Sequence, residues 1–318
     1  MTQKMLFSKP KESMVVNGRK FVRVDMNDYE LFRQFGKKRK YIAYHAFSVC
    51  FMYYWNMRVY SLFINEDAVE TGELIPIAKK HKNVSSYYIV DPIVNDFETV
   101  LNLCESLSEI ATKGVYVSCI HEANSSVYLE SDKFEKYGSV EKEFIYSTDE
   151  QVELKGSKFK KARKHLSQFK KSNNLEVRLI TEADIPAHEK FLDKWMQEVG
   201  PGYFRPSVLK DRNLIRLVAN GDDYDFTLAA FDGEDMVGIC SCSIEPDTGI
   251  MCGIYQKCLR GYTNLSQYIE HECSVIGQSR GAKIENDASA SASSPGIRKH
   301  KLARRPYEFW KIYSFKYI

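Results

Sequence analysis

The chain lacks a secretory start and any apolar run long enough to span a bilayer. Met1 to Gly18 carries lysines but no apolar core, and the longest apolar stretch, Ala46 to Trp55 broken only by Ser48, is half a membrane span. No targeting or spanning segment is expected. Eight cysteines are present without metal-ligand spacing. The close pair, Cys240 and Cys242, lies on an apolar stretch where period 2 puts both on one strand face as small core residues. Such usage fits a reducing compartment, so the expected location is cytoplasmic, with peripheral membrane contact left open. Seven histidines show neither metal spacing nor a local triad with Cys and Asp. No metal or cofactor is expected. His271, between Glu270 and Glu272, reads as helix surface.

What is present is an ordinary globular composition, 44% apolar and 13% aromatic, in 318 residues, enough for two modules. The formal charge of +3 says little about partners, but its placement says more. Lys155 to Lys171 holds eight Lys or Arg and no acid, and Pro295 to Ile318 holds Glu308 as its only acid. In the first cluster Phe159, Ala162, Leu166 and Phe169 form one apolar stripe of a helix whose other faces carry the cations. Such a helix packs one side and offers the other to anions.

Strand and helix periods alternate clearly from Leu175 onward. A strand at 175–180 leads through a capping box at Thr181–Asp184 into a helix that ends at Gly200-Pro201-Gly202, and a second helix is expected at 207–219. Three strands follow at 226–231, 236–244 and 250–258, with turns at Asp232-Gly233 and Asp247-Thr248-Gly249. Then come a helix at 264–280 with Leu265, Ile269, Cys273 and Ile276 on one face, a strand at 282–287, a short helix at 297–303 and a strand at 308–317. The first half follows the same order: a strand near Phe21, helices at 28–35 and 43–55, and strands at 59–64, 74–78 and 87–90. A helix at 97–112 capped by Asn95 or Asp96, a strand at 115–120, a short helix at 132–136 and a strand at 143–146 complete it. This order is that of the acetyltransferase (GNAT) fold. The fold class is therefore α/β with mixed sheets, arranged as tandem GNAT-like modules at 1–150 and 175–318 joined by a basic linker helix at 151–174.

Two short stretches add a family resemblance. Leu154-Lys155-Gly156, Phe159 and Lys161-Ala162-Arg163 ahead of Phe169 resemble the basic linker in the C-terminal, catalytic domain of phosphatidylglycerol lysyltransferases. Gly296 to Leu302, with Pro306 and Lys316-Tyr317, looks like that family's closing signature. The resemblance, shared with Fem-type transferases, implies transfer of an aminoacyl group from charged tRNA to a lipid or small-molecule acceptor. The family usually sets an asparagine and two acids at alternate positions before the glycine. Here those positions hold Asp287, Ser289 and Ser291, which are the candidate catalytic residues.

Aminoacyl transfer needs a grip on phosphates, a place for the amino acid and stabilisation of an oxyanion. Lys160, Lys161, Arg163 and Lys164 are candidates for the grip, and Arg298, Lys301, Arg304 and Arg305 for the acceptor stem or terminal adenosine. Asp287 is a candidate for the donor's α-amino group, and Tyr255, near the end of a strand, for the cleft wall. Acetyl-CoA fits less well: the turn Cys258 to Leu265, where pyrophosphate would sit at a helix N-terminus, has one glycine and is crowded by Tyr262 and Thr263. Two alternatives remain open. One is acyl-CoA-dependent N-acyl transfer; the other is a catalytically impaired homologue that binds RNA or anionic lipid.

Overall fold

The computed structural model describes residues 11–55, 60–80, 85–199, 215, 224–290 and 295–318. Apart from Ile215, the helix expected at 207–219, its preceding Gly-Pro-Gly stop and Ser291 lie outside them. The chain divides into two compact units. The first comprises Met1–Phe35, Tyr54–Val140 and Tyr313–Ile318; the second comprises Gly36–Tyr53 and Glu141–Ile312. The basic helix falls within the second unit, and its Phe169 is buried in that unit's core.

In the first unit β1 (Ser13–Val16), β2 (Arg19–Arg23), β3 (Tyr60–Asn65), β4 (Ile77–Lys80) and β5 (Ser86–Val90) form an antiparallel meander. Helix α1 (Tyr29–Gly36) lies between β2 and β3. Helix α2 (Phe97–Ser108) then crosses over to β6 (Gly114–His121), which runs parallel to β5. Asp96 supplies the α2 cap, accepting the Thr99 N–H at 2.8 Å. Its apolar face, Leu103, Cys104 and Leu107, is buried against Ile89, Val115 and Val117.

The short helix expected at 132–136 is instead a strand. Helix α3 (Ser126–Glu130) comes earlier, and β7 (Phe134–Lys136) pairs with residues 315–317. Phe134 is held in that extended register by Tyr128, Phe315 and Tyr317. Nothing local marks this, since the partner is the far end of the chain.

The second unit opens with residues 36–53. The helix expected at 43–55 is broken there into a 3-10 turn at 44–46, an α turn at 48–50 and a π turn at 51–55. Phe47 is extended between the first two, and the Ser48 N–H is captured by Glu245 at 2.5 Å. Next come β8 (Glu141–Ser147), α4 (Thr148–Glu153), α5 (Lys160–Ser172), β9 (Glu176–Leu179) and α6 (Ile185–Val199). The Thr181–Asp184 capping box precedes α6 as its sequence indicates. Strands β10 (Asp225–Asp232), β11 (Asp235–Glu245) and β12 (Ile250–Cys258) follow, then α7 (Leu265–Ser279), β13 (Ile284–Asn286), α8 (Pro295–Ala303) and β14 (Glu308–Tyr317).

The sheet order is β14-β8-β13-β12-β11-β10-β9, and β12–β13 is its one parallel pair among the described residues. The β12-α7-β13 crossover repeats the β5-α2-β6 crossover of the first unit. Each unit thus carries the meander-plus-parallel-crossover of a GNAT-like module, and the mixed α/β tandem fold is established.

Strand β11 approaches α7 closely. A Cβ on Gly238 would lie 2.8 Å from Leu265 Cδ2 and 2.9 Å from Ile269 Cδ1, both in fully buried side chains. Gly238→Ala is expected to lower the unfolding free energy by about 1–3 kcal/mol, read from denaturant midpoints.

Candidate functional site

The parallel pairing of β12 and β13 covers only Ile250–Cys252 and Ile284–Asn286. A bulge in β12 near Ile254 breaks its register with β11 at Ser241/Cys242. Where the pairing ends, a cavity of about 50 Å³ opens. That is room for roughly three to five water-sized groups. Its walls are Cys240 and Cys242 of β11, Gly253 and Gln256 of β12, Glu270 and Cys273 of α7, Glu285 to Asp287 at the end of β13, and Arg304 just past α8.

The charges around it are paired. Arg304 reaches Glu285 at 2.5 Å and Asp287 at 3.2 Å, and its guanidinium lies 4.3 Å from the Tyr146 ring centroid. Lys301 Nζ donates to the carbonyl oxygen of Asp287 and sits 3.4 Å from its carboxylate. His300 Nε2 is 2.8 Å from a Glu270 oxygen. Burial pushes the Glu285 carboxyl up, and Arg304 opposes the rise without cancelling it. For Glu270 burial also pushes up, but His300 and then Arg304 outweigh it and the net shift is downward. The His300 imidazole is raised, chiefly by its hydrogen bond to Glu270. Three carboxylates therefore face two fixed cations, with His300 as a third, titrating one.

Asn286 fixes the turn that presents Asp287. Fully buried, it donates to Glu143 at 2.7 Å and to the Ile42 carbonyl at 3.1 Å, while its own oxygen accepts the Ala288 N–H at 3.0 Å. Ala288 adopts φ +51°, a left-handed conformation that this bond stabilises. Burial raises Glu143 to about 7 against the bonds from Asn286 and Tyr44. A carboxyl raised this way is protonated in the folded chain over a range where the unfolded chain is ionised. Its contribution to stability is therefore lost as pH climbs from about 4.5 to about 7. Glu143→Gln removes that titration. The stability difference between wild type and variant should shift by about 2–3 kcal/mol in the variant's favour from pH 5 to pH 8, measured by urea unfolding at each pH.

Of the residues selected from sequence, Asp287, Ser289, Lys301 and Arg304 come together. Ser289 is half-buried, and its hydroxyl donates to Glu141 at 2.8 Å. Arg298 is exposed on α8. Lys160, Lys161 and Lys164 are exposed on α5, whereas Arg163 donates to the carbonyls of Leu154 and Gly156 and so braces the turn before the helix. Arg305 Nε donates to the Lys158 carbonyl at 3.4 Å. The two basic clusters therefore meet, one residue from Arg304. Tyr255 does not line the cavity. The bulge leaves it paired with Ser241 on the opposite sheet face, where its hydroxyl is 3.3 Å from His188 of α6.

Glu285, Glu270 and His300 are site residues that the motif reading passes over. The alternation followed forward from Asp287 also runs backward to Glu285, which is the available signal. Glu270 is not helix surface: it is buried against His300, a partner thirty residues away. His271 is partly buried too, bonded to the Val152 carbonyl at 3.2 Å. A larger recess of about 260 Å³ beside α6 is lined by Lys190, Lys194, Asp235 and neighbours. Its Lys194 is already paired with Asp235 at 2.8 Å, and none of the sequence-selected residues lines it.

The family model for "Phosphatidylglycerol lysyltransferase, C-terminal" matches residues 40–250, about two-thirds of the chain. The chain belongs to this family. The lysyltransferase family is one of transferases, and its matched stretch includes the 154–169 motif but stops before Gly296–Tyr317. Solved structures agree on the fold of this lysyltransferase-family chain. A conserved protein of unknown function from Bacteroides thetaiotaomicron superposes with TM-score 0.79 at 15% identity, covering 94% of this chain and 99% of that one. L-PGS from Bacillus licheniformis gives 0.63 at 14% identity, covering 93% and 92%. FemX gives 0.63 at 10% identity, covering 94% and 97%. No curated protein matches the sequence. No helix among the described residues is long and apolar enough to cross a membrane.

Proposed function

We propose that this family member transfers an aminoacyl group from charged tRNA to a lipid or small-molecule acceptor, with the second unit's cavity receiving the aminoacyl end. The observation that carries this is the carboxylate-rich cavity set beside the junction of two basic clusters. An aminoacyl ester brings an α-ammonium group, which complements three carboxylates facing two fixed cations. It also brings the phosphates of the acceptor stem, which complement Lys160, Lys161, Lys164, Arg298 and Arg305. In the reaction an acceptor hydroxyl or amine attacks the ester carbonyl, and an oxyanion forms. The terminal ribose hydroxyl then leaves, taking up the proton that the nucleophile gives up. A tRNA donor implies work in the cytoplasm, with peripheral membrane contact when the acceptor is a lipid.

A CoA donor is disfavoured by the start of α7. The Arg260 N–H in the preceding turn is already taken by Glu198 at 2.7 Å, and Tyr262 is anchored on Asp232 at 2.9 Å. Two carboxylates there repel a pyrophosphate.

If Lys160, Lys161 and Lys164 contact phosphates, replacing all three with Ala should reduce the slope of log K against log salt by roughly 2–3, since each lost contact removes somewhat less than one unit. Filter binding of charged tRNA across a salt series reads this. An unchanged slope removes α5 from the RNA interface.

A further inference from the structure

Three thiols unused by the proposed transfer share one wall of the cavity. Cys240 and Cys242 point from β11 to the α7 face, Cys273 points back from α7, and all three Sγ atoms lie within 4.8 Å of one another. All three residues are buried, and all line the cavity. A second group points to a ligand there. Glu285 lines the same cavity with one oxygen bonded to Arg304 and the other, Oε1, buried without a hydrogen-bond partner.

We propose that Cys240, Cys242 and Cys273 form a binding site for a soft divalent ion of the zinc class, with the fourth position open to the cavity. Sulfurs at about 2.3 Å from a tetrahedral zinc stand about 3.8 Å apart, so modest side-chain rotation closes the observed cluster onto an ion. Three thiolates select zinc-like ions over magnesium or calcium, which take oxygen ligands. Binding converts three thiols and a hydrated zinc ion into a zinc tris-thiolate and three released protons. The complex carries one net negative charge, and the Arg304 guanidinium, on the same cavity, offsets it. The period-2 placement of Cys240 and Cys242 on one face is legible in sequence. The third ligand is supplied by the α7 crossover, which no sequence spacing reveals. The site stands whether or not the chain transfers aminoacyl groups, because its readout is metal content.

The test uses the full chain, stripped with a chelator under reducing conditions and titrated with zinc against a chromophoric competitor. One zinc per chain is expected, with release of protons to a weakly buffered solution. Cobalt(II) in place of zinc should give a sulfur-to-cobalt charge-transfer band and tetrahedral d–d absorption. Cys242→Ser should weaken zinc binding at least about 100-fold, and Cys258→Ser, outside the cluster, should leave it unchanged. An absence of competitive zinc uptake, an octahedral cobalt spectrum without sulfur bands, or uptake undiminished in the Cys240→Ser/Cys242→Ser/Cys273→Ser variant overturns the proposal. If the substituted chains fail to fold by circular dichroism, the wild-type cobalt spectrum decides.

Discussion

Replacing Arg304 with Met should lower the unfolding free energy by about 3–5 kcal/mol at neutral pH. The methionine retains much of the stem's volume and its packing against the Tyr146 ring. It removes the guanidinium that lies 2.5 Å from Glu285 and 3.2 Å from Asp287. Burial already pushes the Glu285 carboxyl upward, with Arg304 the largest opposing influence. Without that cation a buried carboxylate must either stay ionised and unpaired or take up a proton. The loss should therefore shrink as pH falls and Glu285 protonates, and grow as pH rises. Arg304→Lys should recover only part of the stability, because a single ammonium does not span both carboxylates as the planar fork does. Urea unfolding of the three proteins at pH 5 and pH 7.5 measures all of this. Equal stability of Arg304→Met and wild type at pH 7.5 contradicts the network described.

Asp287→Asn should reduce aminoacyl transfer about 100-fold or more while leaving the fold in place. Glu270 and Glu285 are more deeply buried, with side chains 12% and 6% exposed, whereas Asp287 is 23% exposed and stands nearest to solvent. Under the proposed function it is the carboxylate that an incoming α-ammonium group would meet first. The substitution is nearly isosteric, keeps an oxygen for Lys301 Nζ, and leaves Glu285 to hold Arg304. The lost charge removes an attraction to the donor while stability should change by no more than about 1 kcal/mol. Single-turnover kinetics with charged tRNA, beside an unfolding curve for each protein, separates the two effects. A rate loss accompanied by a large stability loss would move Asp287 from substrate contact to structural support.

How much of this was legible beforehand depends on the range of the interaction. Strands β9 to β14 and helices α6 to α8 are visible because their apolar period changes cleanly between 2 and 3.6 and their turns carry Gly, Asp and Asn at the required positions. Glu308–Tyr317 is read to the residue. Non-local partners are what sequence hides. Phe134 is a strand residue only because Phe315 and Tyr317 arrive from the far end of the chain. Glu270 is buried because His300 meets it at the edge of the stripe formed by Leu265, Ile269 and Cys273. The assignment of 36–53 to the second unit depends on pairings such as Ser48 with Glu245. The site was legible in part. Asp287 and Lys301 follow from the motif and Arg304 from the basic cluster, but their role changes once they are seen bound to one another. Arg304 and Lys301 hold the turn around Asp287, and the exposed cations of α5 and α8 are the ones the proposed function assigns to phosphate.

Under the proposed function the second unit's cavity handles the ester end of a charged tRNA. The most direct measurement is consumption of the aminoacyl ester when purified protein is offered a mixed pool of charged tRNAs at low salt, with a lipid extract as acceptor. Ester should be lost faster from at least one charged tRNA than in the protein-free control, with little or no acceleration by Asp287→Asn. Ester loss at the uncatalysed rate for every charged tRNA, or equal acceleration by wild type and Asp287→Asn, would contradict it.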